Sequence, residues 1–339
     1  MLITENDFMK QIENKVFVIA EAGSNHDGKI EQAKQLIDVA VEAKADAVKF
    51  QVFLADTLYS KNAPHLSEMK TKQTPYELLK SLEMPREWIK ELAEYCEENG
   101  IIFMATPFDL KAVDAINEYV SVYKVSGYDI DNFSLLEKIK ESGKPIILST
   151  GTSTIEEVKK AVEVLKNNVI LLHCTNQYPT KDEDANVKAM TTLAKLNVPV
   201  GLSDHTLGNE AAITAIALGA KVIEKHITID KTLSGPDHAH AIDPEQLKEF
   251  VKVIRTAEKV LGSEEKKPTD SEKENRELAR RSIHAKQDIS KGETITKDML
   301  ILKRPALGIR PIETNKLIGK KVKQDIKEDQ WITWEMVGD

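Results

Sequence analysis

The chain has 339 residues, 30% of them charged, and a formal net charge of −8 at pH 7. This length suits one large domain followed by a small one. The acidic balance gives no reason to expect nucleic acid or an anionic membrane as a partner. Two distant cysteines, no apolar signal segment at the N-terminus and no run of ~20 apolar residues predict a cytoplasmic protein without disulfides or membrane spans.

Eight short apolar runs recur between residues 16 and 228, and amphipathic stretches separate them. The runs are VFVIAEAG, DAVKFQVF, IIFMATPF, VYKVSGYD, PIILSTG, VILLHCTN, PVGLSDHT and KVIEKHIT. Runs with so little alternation are typical of parallel strands that are buried on both faces. The repeated order predicts an α/β fold, a (β/α)8 TIM barrel over residues 1–262. An open doubly wound sheet is the alternative, but no GxGxxG motif follows the first run.

Three segments interrupt or follow this pattern. The segment after the second run, residues 53–85, is long and contains the polar stretch NAPHLSEMKTKQTP, which predicts a lid or a substrate wall. Residues 263–279 are charged and almost without an apolar face, so we interpret them as a linker. Residues 280–339 show short β-runs broken by Lys-Gly, Leu-Gly and Ile-Gly pairs, which predict a small, mainly β domain.

Each apolar run carries a polar side chain at its C-terminal end. A barrel of eight parallel strands brings all these ends to one face, which is where TIM barrels have their active sites. The sequence therefore predicts a single site at this face, and its first candidates are Glu21, Lys49, Gln51, Thr106, Lys124, Ser149, Asn176, His205 and His226.

Two of these candidates predict a metal site. His205 and His226 end the seventh and eighth runs, which are neighbours in a barrel. With Asp204, Glu224 and Asp237 nearby in the sequence, the pair favours metal binding over two hydrogen bonds that merely cap the strands. Because the remaining ligands would be oxygen atoms and water, Mn²⁺ or Mg²⁺ fits better than structural zinc.

Lys49 and Lys124 lie near the ends of the second and fourth runs. A lysine in an apolar run is costly to bury without a partner. We favour an anionic ligand, such as a phosphate or a carboxylate, which Ser203 and the hydroxyls of the neighbouring strand ends would also bind. A buried ion pair with Glu21 and a Schiff-base nucleophile are the alternatives.

Acids and histidines in two loops complete the candidates. Glu21, at the end of the first run, can move a proton if its pKa is tuned. The loop GPDHAHAIDP after the eighth run presents Asp237 in a Gly-Pro turn. His238 and His240 in this loop could form a second metal site, but we favour a solvated loop. His26 is interpreted as a residue that forms hydrogen bonds within its turn.

About a dozen short motifs occur in order along nearly the whole chain. In the barrel they are IAEAGSNHDG, VKFQ, ATPF, YKVSGYDIDN, LSTGTS, LLHCTNQYPT, GLSDHT, EKHIT and GPDH. In the tail they are RRSI, DISKGETIT and KRPALGI. The chain therefore resembles the sialic acid synthase family, and its tail resembles the antifreeze-like, or SAF, domain of that family. The resemblance implies a transferase that condenses phosphoenolpyruvate with an N-acetylated amino sugar to give a nine-carbon, sialic-type acid.

The resemblance also implies a role for each candidate residue. His205 and His226 would hold Mn²⁺ or Mg²⁺, and Glu21 would take a proton from the attacking water. The residues that would bind phosphoenolpyruvate are Lys49, Thr106, Lys124, Ser149 and Ser203, with Asn176 beside them. Those that would contact the amino sugar or its reacting oxygen are Gln51, Tyr178 and Asp237. Members of the family are domain-swapped dimers, so Arg304 in the tail would reach the N-acyl group of the sugar in the other chain's barrel.

Three positions depart from the family pattern. Gly127 stands where the family often has Ser, and Ser126 is the possible substitute for the missing hydroxyl of the phosphate site. Ala241 stands where the GPDH loop usually continues to Ser. The stretch APHLSEM replaces the APKAEYQ that is frequent in sialic and legionaminic acid synthases. Since this region should face the sugar, the departures leave the identity of the sugar open between N-acetylmannosamine and a diacetamido-trideoxyhexose.

Three other functions remain as alternatives. A Schiff-base aldolase would use Lys124 and free pyruvate. A related condensation on a phosphorylated sugar would need an additional cluster of basic residues, which the sequence does not obviously contain. A non-catalytic carbohydrate-binding protein built on the tail would have no need of so many polar strand ends.

Overall fold

The computed structural model describes residues 3–64, 73–166 and 168–338. The chain divides into two compact units, Met1–Gly262 and Ser263–Asp339. The first unit is a closed barrel of eight parallel strands in sequence order, in which β1 pairs with β8, so the predicted TIM barrel is confirmed. Its strands are β1 Phe17–Gly23, β2 Ala47–Val52, β3 Ile102–Pro107, β4 Tyr123–Val125, β5 Ile146–Ser149, β6 Val169–Cys174, β7 Val200–Asp204 and β8 Val222–His226.

Helices follow the strands along the chain, and local sequence signals fix several of their ends. Thr154 and Glu157 form a capping box before the helix Ile155–Leu165, and Asp243 and Gln246 form another before the helix Pro244–Leu261. The helices of this unit are α1 Glu5–Asn14, α2 Ile30–Glu42, α3 Ala55–Leu58, α4 Pro75–Ser81, α5 Trp88–Glu98, α6 Leu110–Ile116, α7 Phe133–Lys140, α8 Ile155–Leu165, α9 Met190–Ala194, α10 Glu210–Ala217 and α11 Pro244–Leu261.

The interior of the barrel is apolar at the N-terminal ends of the strands. Ile19, Met104, Ile147 and their neighbours form one buried cluster there, to which α1 adds Phe8 and Ile12 from below. Successive side chains of a strand point to opposite faces, so the next inward residue lies two positions further along. The inward residues two positions further along form a second, polar layer. They are Glu21, Lys49, Thr106, Lys124, Ser149, Cys174, Ser203 and Glu224.

The long segment after β2 contains α3 and α4. Part of the lid or substrate wall predicted for residues 53–85 lies outside the described residues, namely residues 65–72 and with them most of APHLSEM. In the described part of the chain, no helix combines the length and the apolar character that are needed to cross a bilayer.

The second unit is small and mainly β, as predicted. Antiparallel pairs join β9 Ser282–Ala285 to β10 Leu300–Lys303, and β11 Lys321–Val322 to β12 Val337–Gly338. Its short helices are α12 Lys273–Leu278 and α13 Thr314–Leu317. The stretch interpreted as a linker therefore contains α12, which buries no residue. The core of the unit consists of Ile283, Ala285, Ile289, Ile295, Ile309, Leu317, Val322, Ile326, Ile332 and Val337.

Candidate active site

The carboxyl ends of the barrel strands surround a cleft of about 390 Å³. It brings together both candidate lysines and both candidate metal-binding histidines, although they come from four different strands. The side chains that line it are Glu21, Lys49, Gln51, Thr106, Phe108, Lys124, Ser126, Gly127, Tyr128, Ser149, Cys174, Asn176, Tyr178, Ser203, His205, Glu224 and His226.

Both lysines are buried and have short polar contacts. Lys49 Nζ lies 2.6 Å from Glu21 Oε2 and donates a hydrogen bond to Thr106 Oγ1 at 2.9 Å. Lys124 Nζ donates to Ser149 Oγ at 2.7 Å and to the backbone carbonyl of Val125 at 3.2 Å. The ion pair between Lys49 and Glu21, one of the alternatives of the sequence analysis, is therefore present. Binding of an anionic ligand by the same ammonium groups stays a prediction.

Glu224 is a central member of this cluster that the sequence analysis did not select as a site residue. Its carboxylate lies 3.7 Å from Lys124 Nζ and 3.8 Å from Lys49 Nζ, and it accepts a hydrogen bond from Ser203 Oγ at 2.9 Å. The available signal was its spacing: Glu224 precedes His226 by two residues on one strand, so both point inward. Two carboxylates thus face two ammonium groups at the base of the cleft.

Burial and neighbouring charges shift the pKa values of this cluster in different directions. Burial raises the pKa of Glu21 above its ordinary value, although Lys49 opposes the shift. Burial lowers the pKa of Lys124, and Glu224 opposes that shift. Burial would also raise the pKa of Glu224, but the charges of Lys124 and Lys49, with the Ser203 hydrogen bond and His205, hold that pKa below its ordinary value. Of the two carboxyl groups, Glu21 is therefore the one that retains a proton more easily.

Gln51 and Asp237 lie beside Glu21 at the rim of the cluster. Gln51 Nε2 donates to Glu21 Oε1 at 2.9 Å. Gly23 has a φ of +57°, and a Cβ atom there would lie 3.5 to 3.6 Å from Gln51 Nε2, Glu21 Oε1 and Asp237 Oδ2. The turn after β1 thus brings the three side chains around one point. Burial raises the pKa of Asp237 to about 6, and the neighbouring charge of Glu21 contributes a smaller part of this rise.

The two histidines of the predicted metal site are neighbours, as their strands require. The ring centroids of His205 and His226 are 5.4 Å apart, and the ring of Tyr178 lies 4.2 Å from that of His205. His205 Nδ1 lies 2.9 Å from the Thr175 carbonyl oxygen, so it is the protonated nitrogen and Nε2 keeps its lone pair. Burial lowers the pKa of both imidazoles, which favours the neutral form that binds metals.

The two imidazoles and the nearby carboxylate of Asp237 are chemically suited to bind a divalent cation. His226 Nδ1 is buried without a hydrogen-bond partner, and Asp237 Oδ2 lies 3.9 Å from it. Among the described residues, no three His, Cys, Asp or Glu side chains are gathered as a ready set of ligands. A cation held by two imidazoles would therefore take the rest of its ligands from water or substrate oxygen atoms, which suits Mn²⁺ or Mg²⁺.

Asp204 is not part of this site. The sequence analysis placed it near the two imidazoles, but its side chain is buried on the outward-facing side of the strand, where it forms an ion pair with Lys225. The reason is the alternation of β7, in which Ser203 and His205 point inward and the residue between them points outward.

The interpretation of the GPDHAHAIDP loop as solvated is wrong for its two histidines. His238 is fully buried, and its ring nitrogens lie 2.7 Å from Thr228 Oγ1 and 3.1 Å from both carboxylate oxygens of Asp27. The side chain of His240 is only 9% exposed, and its Nε2 lies 3.8 Å from Asp237 Oδ1. These contacts hold the loop against β8 and the turn after β1.

Steric crowding accounts for glycine at position 127, where the family often has serine. A Cβ atom at this position would lie 2.8 Å from the backbone nitrogen of Gly151, so a serine would require a shift of the chain. The neighbouring Ser126 lines the cleft, and its Oγ accepts a hydrogen bond from the backbone nitrogen of Tyr128 at 3.3 Å. Asn176 also lines the cleft and accepts a hydrogen bond from Cys174 Sγ at 2.9 Å.

Arg304 belongs to the second unit, where its peptide bond to Pro305 is cis. Its predicted contact with a sugar in the barrel of another chain stays a prediction.

The sequence matches two family models in the order of the two units. The model of the NeuB family covers residues 36–266, and that of the SAF domain covers residues 280–338. The chain therefore belongs to the NeuB family, a family of acid synthases, and carries a C-terminal SAF domain. It is an enzyme, so the alternative of a non-catalytic carbohydrate-binding protein is wrong.

Relatives with established names agree with this assignment. The chain is 43% identical to the N,N'-diacetyllegionaminic acid synthase of Legionella pneumophila, over 95% of this chain and 94% of that one. It is 36% identical to a pseudaminic acid synthase of Campylobacter jejuni, over 93% and 94%. The crystal structure of an N-acetylneuraminic acid synthetase from Leptospira borgpetersenii, in complex with citrate, superimposes with a TM-score of 0.71 at 38% identity, over 77% of this chain and 90% of that one.

Proposed function

We propose that the protein condenses phosphoenolpyruvate with an N-acetylated amino sugar and water, giving a nonulosonic acid and phosphate. One observation carries the proposal: Lys49, Lys124, His205 and His226 line a single cleft at the carboxyl ends of the strands. Two buried ammonium groups suit a small donor with a phosphate and a carboxylate, and two neutral imidazoles suit a cation that binds the acceptor. We infer the class of product, a nonulosonic acid, from the names of the relatives.

Lys49 and Lys124 would bind the donor with the hydroxyls that they already contact. Thr106 and Ser149 lie 2.9 and 2.7 Å from the respective ammonium nitrogens. These hydroxyl contacts, together with the neighbouring carboxylates of Glu21 and Glu224, fix the positions of both ammonium groups. Donors fixed in this way stabilise developing phosphate charge by several kcal/mol.

Glu21 would transfer the protons of the reaction. The enol carbon C3 of phosphoenolpyruvate attacks the aldehyde carbon of the sugar, and water adds to C2, which has become electron-deficient. A proton of that water passes to Glu21 and on to the new hydroxyl, while the second ends on the phosphate as it leaves by C–O cleavage. A carboxyl group whose pKa is raised by burial suits both steps.

His205 and His226 would hold the divalent cation, Mn²⁺ or Mg²⁺. When bound, such a cation polarises the aldehyde oxygen as a Lewis acid. Gln51, Tyr178 and Asp237 would orient the sugar. The hydrogen bond from Gln51 to Glu21, and the 3.9 Å distance between Asp237 Oδ2 and His226 Nδ1, support a sugar position between the proton-transfer group and the imidazoles.

The SAF domain would complete the site in a domain-swapped dimer, with Arg304 binding the N-acyl group of the sugar in the partner's barrel. Arg304→Ala should raise the KM for the sugar roughly 10-fold or more and leave that for phosphoenolpyruvate unchanged, because a hydrogen bond from a charged group contributes about 1.5–3 kcal/mol. An unchanged KM for the sugar would remove Arg304 from the site. At a sugar concentration well below the KM of Arg304→Ala, where both single variants are nearly inactive, mixing a His205→Ala chain with an Arg304→Ala chain should restore part of the activity; no recovery after confirmed subunit exchange would contradict the swap.

The function is tested by phosphate release from phosphoenolpyruvate in the presence of Mn²⁺ and a panel of amino sugars. The panel includes N-acetylmannosamine, its 6-phosphate and the diacetamido-trideoxyhexoses of the legionaminic and pseudaminic series. We expect release that depends on one of these sugars and is lost in Lys124→Met. Release with none of them, by a folded protein with Mn²⁺ present, would contradict the proposal.

A Schiff-base aldolase remains the second candidate because burial lowers the pKa of Lys124 and so makes its neutral, nucleophilic form more accessible. It requires free pyruvate and no phosphate release. Borohydride reduction in the presence of pyruvate would add a stable mass to Lys124 in such an aldolase and leaves a phosphoenolpyruvate-dependent synthase unchanged.

A further inference from the structure

Two buried charged residues connect the strands that carry the proposed metal ligands, and neither has a role in the chemistry described above. Asp204 immediately precedes His205, and Lys225 immediately precedes His226. The two are paired in the register of β7 and β8. Lys225 Nζ lies 2.8 Å from Asp204 Oδ2, and their side chains are 3% and 1% exposed.

Every polar group of this pair has a partner. Lys225 Nζ also donates to the backbone carbonyls of Thr206 and, at 3.2 Å, of Gly208. Asp204 Oδ1 accepts hydrogen bonds from the backbone nitrogen of Thr206 at 2.9 Å and from its hydroxyl at 2.8 Å. We call Asp204, Thr206 and Lys225 the outer clamp. It ties the first residues after β7 to the end of β8 from outside the barrel.

Stability alone does not account for such an arrangement. A buried ion pair contributes little compared with apolar residues of similar volume, because both charges must leave water. The surroundings would suit such residues, since the helices outside the barrel pack on Ile223 and Leu202 of the same strands. The ion pair instead fixes the relative position of the ends of β7 and β8, because the hydrogen bonds of both charged groups form only when the two strand ends are correctly aligned.

We propose that the outer clamp positions His205 and His226 for the divalent cation, so that Asp204 and Lys225 are positioning residues of the metal site. The inference rests on the proposed function, since it assumes that these imidazoles hold the cation. Each charged residue of the clamp is directly adjacent in the chain to one of the imidazoles, and the ring centroids of the two histidines are 5.4 Å apart. A small change in the pairing of the strand ends therefore changes the distance between the two ligands directly.

The test is Mn²⁺ affinity, measured on metal-free protein by electron paramagnetic resonance, together with phosphoenolpyruvate affinity measured by calorimetry. The D204N/K225M variant removes both charges and the link between the strands, while an amide oxygen can still accept from Thr206. We expect Mn²⁺ affinity to fall about 10-fold or more, as for residues that orient metal ligands. The affinity for phosphoenolpyruvate should fall clearly less than that for Mn²⁺, because Lys49 and Lys124 lie on other strands and only Ser203 and Glu224 of that site are next to the clamp; a merely structural role would lower both affinities alike or neither.

Two further variants complete the comparison. Arg255→Met removes an ion pair with Asp46, at 2.7 Å, near the opposite end of the barrel, while Asp46 keeps its contacts with Lys15 and the Val18 backbone nitrogen. It should not alter Mn²⁺ affinity. Thr206→Val removes one hydroxyl of the clamp without altering charge and should weaken Mn²⁺ binding several-fold; it decides the question if the double variant does not fold.

The outcomes separate this inference from the proposed function. Unchanged Mn²⁺ affinity in the clamp variants, together with its loss in His205→Ala, overturns the clamp and leaves the metal site standing. Unchanged Mn²⁺ affinity in His205→Ala as well overturns the metal site and the clamp with it.

Discussion

The two ends of the barrel interior have opposite chemistry, although the same strands build both. At the N-terminal ends, Ile19 and Val222 belong to an apolar cluster that Phe8 of α1 closes from below. At the C-terminal ends, two residues further along the same strands, Glu21 and Glu224 face two lysine ammonium groups. A single step of the strand alternation separates a layer that stabilises the fold from a layer that handles charge.

The difference shows what each layer contributes. Burial of apolar surface stabilises the barrel by about 25 cal/mol per Å², whereas each buried charge costs free energy that its partner only partly returns. The polar end therefore depends on the apolar end for its stability. Variants at the two ends should separate activity from stability, and the following predictions test that separation.

The largest effect is expected when the proposed metal site is lost. His205→Ala, or removal of metal by a chelator, should lower the rate of phosphate release at least about 1000-fold, since Lewis-acid assistance contributes several kcal/mol and 1.36 kcal/mol is a factor of ten. The free energy of unfolding should change little, because the imidazole lines the polar cleft and does not belong to the apolar cluster. Denaturant unfolding followed by circular dichroism provides the comparison. Full activity in protein shown to be metal-free would contradict the metal role.

A smaller contrast is expected within β1 alone. Glu21→Gln keeps the volume and removes the proton-transfer group, so the turnover rate should fall by a factor of 100 or more. Ile19→Ala, two residues earlier, should cost about 2–5 kcal/mol of unfolding free energy and leave the turnover rate of the folded enzyme nearly unchanged. Both variants are measured for kcat and for urea unfolding.

The result that would break this contrast is an exchange of the two effects. If Ile19→Ala lowered kcat as strongly as Glu21→Gln at a temperature where both are folded, the apolar layer would take part in positioning the site. The two ends of the barrel could then no longer be regarded as independent.

The barrel was predictable because its signals are local and repeated. Unbroken apolar runs, capping residues such as Thr154 and a polar residue at the end of each strand all indicate one topology. The topology then brings Lys49, Lys124, His205 and His226 together without any knowledge of side-chain contacts. Convergence of strand ends is a property of the fold, so the sequence pattern was sufficient to predict it.

What the sequence could not show is which partner each charged residue selects. Asp204 and Glu224 are both acids near a candidate histidine, but one pairs with Lys225 outside the barrel and the other contacts both lysines inside it. Strict alternation along the strands would have separated them. The burial of His238 was not accessible in this way, because Asp27, its partner, lies in a loop that is distant in sequence.

The smallest effect concerns His26, a titratable side chain that is buried beside the polar end but outside the cleft. The backbone nitrogen of Gly28 donates to His26 Nδ1 at 3.1 Å, and the ring packs against Trp88, so the site accepts only a neutral imidazole. Burial lowers the pKa of His26 to about 4 from an ordinary value of 6.5. Between these two pH values the unfolded chain binds a proton that the folded protein excludes, so stability is lost as the pH falls from 6.5 towards 4.

His26→Asn should remove this contribution, because an amide oxygen can still accept from Gly28 and does not titrate. The difference in unfolding free energy between wild type and variant should change by roughly 3 kcal/mol between pH 7 and pH 4, in favour of the variant at low pH. Urea unfolding at several pH values measures it, and the buried histidines common to both proteins cancel in the difference. Parallel curves for the two proteins would mean that the pocket beside Trp88 accepts the charged ring. In that case water must reach the pocket of His26. The C-terminal end of the barrel would then contain a hydrated region in addition to the charged cleft.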